Sequence, residues 1–177
     1  EDAFMNCSSL KEIVVPDKTS YGIKGISGLS GDDIPSLVTA IRRQVLGNFR
    51  LSGSVLLKYL GSESRVVVPE GVTSVGEEAF SGNEAIDRVI LPDSVESIGA
   101  GAFRDCLVLQ TVELPENLRH IGAGAFENCV KLIRVLLPGG VDVIEDKVFK
   151  HCHGLREIGL GTNVRAIREQ ASCRERV

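Results

Sequence analysis

No stretch of the 177-residue sequence runs for 18 uninterrupted apolar residues, so no helix of it is expected to insert into a membrane. Charge of one sign is scarce as well. Twenty Lys and Arg against 24 Asp and Glu leave a formal net charge of −4, where a nucleic-acid binder would carry a strongly basic face. Tryptophan is absent and aromatics make up 5% of the chain. Paired carboxylates, a catalytic triad and a metal-ligand cluster are missing too. An enzymatic reading, with a site in residues 17–65, therefore has no chemistry behind it, and no metal or other cofactor is expected. No secretory signal opens the chain. It begins with Glu1 rather than Met, so it reads as a processed form or a cloned piece, and the missing signal says nothing of where the parent protein resides. Apolar residues are not lacking: 43% is too many for a disordered chain, and the length suffices for one sizeable core or one continuous stack.

The apolar residues recur with a period. Pro69, Pro92, Pro115 and Pro138 are each 23 residues apart. The same step relates Ala79-Phe80, Ala102-Phe103, Ala125-Phe126 and Val148-Phe149, and it relates Ile98, Ile121, Ile144 and Ile167. A further column runs Val72, Val95, Leu118, Val141, Val164. Independent columns that hold one spacing indicate a repeat architecture. In the unit that starts at Cys106, Val112 and Leu114 alternate with Thr111 and Glu113, the period of two of a strand with one buried face. Pro115 cannot donate to a ladder and ends that strand. Leu118 and Ile121 face inward on a second extended stretch, Gly122 turns the chain, and Ala125-Phe126 suits a short helical or 3₁₀ turn that plugs the coil. One coil cannot bury its apolar face alone, so coils must stack at about 4.8 Å with parallel strand ladders and a shared core.

Ala3, Phe4, Cys7, Leu10, Ile13, Val15 and Pro16 follow the same pattern and make residues 1–16 an N-terminal repeat. From Pro16 to Pro69 the interval is 53 residues rather than 23, which marks residues 17–65 as an insert. Within it, Tyr21 to Gly31 is rich in Gly and Ser and reads as loop. Ile34, Leu37, Val38, Ile41 and Val45 share one face of a helix over about 34–46, which Gly47 would end. Phe49–Leu51 and Val55–Tyr59, split by Ser52-Gly53-Ser54, read as a hairpin over about 49–59. Residues 66–177 are then consecutive repeats, the last of them degenerate: Gly161 stands for Pro, Ser172 for Phe and Glu175 for Cys. The expected architecture is a β-rich α/β repeat solenoid, a single domain over 1–177 of 23-residue coils interrupted by one helix-plus-hairpin insert.

These residues resemble the BspA-like leucine-rich repeat, also called the Treponema pallidum type. The resemblance rests on the recurrent Ala-Phe, the Cys or Asn three residues after the Phe, and the Leu-x-x-Val-x-Leu-Pro strand. It covers residues 1–16 and about 49–170, and the spacer-to-repeat join from Leu56 to Gly76 looks like one common in that family. It implies a right-handed superhelix in surface or secreted proteins, mostly of bacteria, with adhesion and protein binding as the known roles and no fixed catalytic residues.

Cys7, Cys106, Cys129 and Cys152 share one repeat position, which Asn83 fills in the unit between. Either side chain suits a tight turn where it can bond to backbone, and parallel side-chain vectors disfavour a disulfide torsion. Cys173 is out of register. His151-Cys152-His153 invites a metal, but three adjacent residues cannot easily close one tetrahedral site, and the histidines flank an inward cysteine. The glycines at 22, 25, 28 and 31 lack the Lys-Ser/Thr ending of a phosphate loop.

Outward strand positions form two columns: Glu12, Arg65, Arg88, Thr111, Arg134, Glu157, and Val14, Val67, Ile90, Glu113, Leu136, Gly159. Large apolar residues in the second, flanked by arginines able to grip carboxylates, make a candidate protein-binding strip of Arg65, Val67, Arg88, Ile90, Thr111, Glu113, Arg134 and Leu136. The alternative is that Val and Ile simply favour strands. The leading expectation is a non-catalytic, extracellular or cell-surface adhesion module that recognises another protein, such as a host matrix or surface protein. The competing expectation is a structural spacer that projects another domain. Uncapped coil edges would also invite end-to-end self-association.

Overall fold

The computed structural model describes residues 47–171, together with the backbone of two strands nearer the N-terminus. The chain divides into two compact units, residues 1–48 and 49–177. In the first, β1 (Glu12–Val14) pairs antiparallel with β2 (Ser20–Gly22), Glu12 opposite Gly22 and Val14 opposite Ser20. Two expectations change here. Tyr21 and Gly22 are strand rather than loop, and β1 is laddered antiparallel to β2. The expected helix over 34–46 lies outside the described residues, as do the remaining expectations for residues 1–46.

The second unit is a β-solenoid of parallel strands. It opens with the expected hairpin, β3 (Phe49–Ser52) against β4 (Val55–Tyr59), closed at Gly53 with φ of 59°. The hairpin begins the coil stack: β4 pairs in parallel with the first short repeat strand, Leu56 opposite Val75, and the Tyr59 ring packs on Phe80 at 5.3 Å, tilted by 34°. Leu56 and Tyr59 are both buried.

Coil after coil then repeats the same two strands. β5 (Arg65–Val67), β7 (Arg88–Ile90), β9 (Thr111–Glu113), β11 (Arg134–Leu136) and β13 (Glu157–Gly159) form one parallel ladder. β6 (Ser74–Val75), β8 (Ser97–Ile98) and β10 (His120–Ile121) extend β4 in the second, and β12 (Val143–Ile144) pairs with β14 (Ala166–Ile167). Partners are one repeat apart, Val66 opposite Val89 and Val89 opposite Val112. The inward columns are buried as the period requires: Phe80, Phe103, Phe126 and Phe149 are at most 1% exposed. Their rings stack face to face at 4.8, 5.2 and 5.7 Å, close to the spacing of neighbouring strands. Burying each contributes about 1.5–3 kcal/mol.

The third side of each coil differs from the short helical or 3₁₀ turn expected. Bonds of the i→i+3 type do form, such as Arg104 N–H to Gly101 and Cys106 N–H to Phe103. Left-handed residues recur between them at the repeat spacing, in one column at Glu78, Gly101, Gly124, Lys147 and Gln170 and in another at Gly82, Asp105, Asn128 and His151. Each one stops the helical succession. Alternate N–H groups are thereby turned toward the next coil, where Gly101, Phe103 and Asp105 donate to Ala123, Ala125 and Glu127 at 2.8–3.0 Å. Gly122 likewise has a role other than turning. A Cβ there would stand 2.5 Å from Ala100 N, and Gly76 and Gly99 meet the preceding coil in the same way at 2.7 and 2.6 Å. Glycine in this column lets backbones of adjacent coils approach.

Candidate functional site

The first ladder points alternate residues inward and outward, so its solvent face is fixed by the pleat. Val66, Val89, Val112 and Val135 go into the core, which turns their neighbours out. The ladder therefore carries Arg65, Val67, Arg88, Ile90, Thr111, Glu113, Arg134 and Leu136 on one face, the grouping expected from register. Val67 is 43% and Leu136 51% exposed, while Ile90 and Thr111 are half-buried. Leu136 leans along the ladder onto Gly159: a Cβ on that glycine would lie 2.6 Å from Leu136 Cδ2. In the second unit the two columns begin at Arg65 and Val67, and Glu12 and Val14 belong to β1, which pairs with β2 in the first unit.

The arginines of the strip are partly engaged already. Arg88 reaches diagonally to Glu113, and Arg134 pairs with Glu157 at 3.1 Å. All four side chains are about half exposed, so each pair is worth less than about 1 kcal/mol and is open to exchange for a partner's carboxylate. The face can therefore offer isolated apolar contacts between polar groups that are already oriented.

The cysteine column is structural. The thiols of Cys106, Cys129 and Cys152 are buried, and each donates to the carbonyl of the Phe one coil back: Phe80, Phe103 and Phe126, at 3.0–3.1 Å. Asn83 makes the equivalent bond with Nδ2 to Gly61 O at 3.0 Å, and its Oδ1 accepts from Ala85 and Ile86. That shared geometry explains why Cys and Asn alternate in one column. Burial pushes the Cys106 thiol up to about 11 and Cys129 further in the same direction, which removes thiolate character. Cys7 and Cys173 lie outside the described residues. His151 and His153 sit 5.9 Å apart, ring to ring, on either side of buried Cys152.

Other cross-coil bonds went unread in the sequence. Ser94 Oγ, Asn117 Nδ2 and Asn163 Nδ2 each donate to a carbonyl of the preceding coil, Val72, Asp93 and Gly139 respectively. Arg104 links three coils through Glu78 at 3.2 Å and Glu127 at 3.4 Å. Small polar residues at the repeat spacing, after the Pro, were the available signal.

Residues 53–175 match the family model of the BspA type leucine rich repeat region, in six copies. Among solved structures, the chain is similar to a leucine-rich cell surface protein from Faecalibacterium prausnitzii, with 26% identity and a TM-score of 0.58, over 68% of this chain and 37% of that one. It is similar to a leucine-rich repeat protein from Bacteroides capillosus at 29% identity and a TM-score of 0.54, over 63% of this chain and 97% of that one. A leucine-rich repeat protein from Eubacterium ventriosum shares the fold at 20% identity and a TM-score of 0.57, over 70% of this chain and 40% of that one. The chain thus spans just over a third of the F. prausnitzii protein and nearly all of the B. capillosus one. No curated protein matches the sequence.

Proposed function

We propose that this chain, which belongs to the BspA-type leucine-rich-repeat family, is a non-catalytic protein-binding module of a cell-surface or secreted protein, and that it meets its partner on the outward face of the first ladder. The observation that carries the reading is the exposure of Val67 and Leu136 on a sheet face whose alternate residues already fill the core. Neither is needed for the stack, and apolar side chains spaced between orientable charges suit protein recognition. The name of the F. prausnitzii relative, a cell surface protein, supports the location.

The test is the triple substitution of Val67, Ile90 and Leu136 to Ser, with folding checked by circular dichroism. Binding of wild type and variant to a panel of extracellular-matrix proteins is then compared. At least a tenfold loss of affinity is expected. Undiminished binding by the folded variant removes the face from the mechanism, and no binding by the wild-type chain favours a spacer that only projects another domain.

A further inference from the structure

The seams between successive coils are not equal. Between the coils 88–110 and 111–133, β7 and β9 are in register at three residue pairs. On the second ladder of that seam, Arg119 N–H and Gly122 N–H donate to Glu96 and Ile98, both at 2.8 Å. Between the coils 134–156 and 157–171 the same bonds recur: three residue pairs join β11 to β13, and Arg165 and Arg168 donate to Asp142 and Ile144. Between 111–133 and 134–156 the pattern fails. β9 and β11 share a single pair, Thr111 with Arg134. Among the described residues, Leu114, Asp142, Val143 and Glu145 make none of the inter-coil backbone bonds that their counterparts make at the other seams. The third side of this seam stays closed: Gly124, Phe126 and Asn128 donate to Asp146, Val148 and Lys150 at 2.7–2.9 Å.

One column substitution sets this seam apart. Position 145 continues the column of Gly76, Gly99 and Gly122, but its Cβ is not the cause, because Arg168 carries a Cβ in the same column and its N–H still bonds to Ile144. Position 140 continues the column of Ser94 and Asn117, whose side chains tie one coil to the last, and Gly140 has none to offer. In its place lies the side chain of Arg119, against which a Cβ on Gly140 would collide. The Phe126–Phe149 stack across this seam is also the widest, at 5.7 Å.

We infer that the solenoid contains a hinge at the seam between residues 111–133 and 134–156, closed along the turn side and able to open at the corner where Pro115–Ile121 faces Pro138–Ile144. Coils on either side move as blocks, because their own seams keep both ladders. Thr111 and Glu113 belong to one block and Arg134 and Leu136 to the other, so opening changes the spacing across the outward face. The hinge is a property of the stack and stands whether or not that face binds a partner.

Hydrogen–deuterium exchange on the full chain tests it. The amides of Leu114, Asp142 and Glu145 are expected to exchange at least tenfold faster than their counterparts Leu91, Arg119 and Gly122. Equal protection at the two seams overturns the hinge. Asn117→Gly, which removes the side-chain tie to Asp93 O at the intact seam, is expected to raise exchange at 119–122 toward that of 142–145. If exchange at 119–122 stays as slow as in wild type, the hinge as described is refuted.

Discussion

Ile121 and Ile167 hold the same position in the repeat, yet one is 2% exposed and the other 58%. The coil 111–133 has a described coil on both sides, and the coil 157–171 has one on one side only. Val164 and Ile158 are half-buried for the same reason, where Leu118 and Val112 are buried. Burial in this stack is conferred by neighbours, so an identical side chain is a core residue in one coil and a surface residue in another. The sharpest way to test that difference is to remove apolar side chains from both regions. Phe126→Ala empties a position walled by Phe103 and Phe149 and is expected to destabilise the chain by about 3–5 kcal/mol, whereas Ile167→Ala should cost less than about 1 kcal/mol. Urea unfolding of both variants measures the pair, and similar losses would mean that the terminal coil is as well packed as the middle.

The columns that report burial were legible in the sequence because one physical requirement, a small inter-coil space walled by apolar groups, admits few residue types. Phe80, Phe103, Phe126 and Phe149 satisfy it with one residue. The left-handed columns were not legible. Gly101 and Gly124 announce the backbone geometry, but Glu78, Lys147 and Gln170 adopt the same φ with no glycine to mark it. The start of the stack was hidden for a different reason. Leu56 and Tyr59 occupy the positions of Val75 and Phe80 through a hairpin, at separations of 19 and 21 residues, so a search at 23 assigned them to the 17–65 insert. The outward strip was legible as a set of residues, since register alone fixes which side chains share a face. Its ion pairs depend on side-chain reach across coils, which spacing does not encode.

A smaller effect separates buried thiols from an exposed edge. Cys106 has its pKa raised from an ordinary 9.0 to about 11 by burial, so the unfolded chain releases this proton before the folded chain does. Between those values the unfolded state binds fewer protons, and stability falls as pH rises; below pH 9 the contribution is complete. A shift of two units corresponds to about 2–3 kcal/mol by pH 11. Urea midpoints measured from pH 7 to 11 should drop more steeply for wild type than for Cys106→Ala, which has no proton to lose there. Parallel curves would show that the thiol is solvated in the folded chain.

The smallest expected effect has the opposite sign and lies in the turns. Lys147 is exposed and left-handed at φ of 60°, in the column where the two preceding coils have Gly101 and Gly124. A side chain in that conformation costs about 1–2 kcal/mol through the clash of Cβ with the following carbonyl. Glycine removes the clash but loses more chain entropy on folding, by roughly 0.5–1 kcal/mol. The two terms leave Lys147→Gly more stable by about 0.5–1 kcal/mol. The reverse change, Gly124→Lys, should lose a similar amount or more, because Gly124 is buried and a Cβ there would stand 3.2 Å from both Arg104 Nη2 and Glu127 Oε2. Unfolding midpoints of the two variants decide it. A loss of stability in Lys147→Gly would mean that the lysine stem contributes more by covering the coil than its backbone conformation costs.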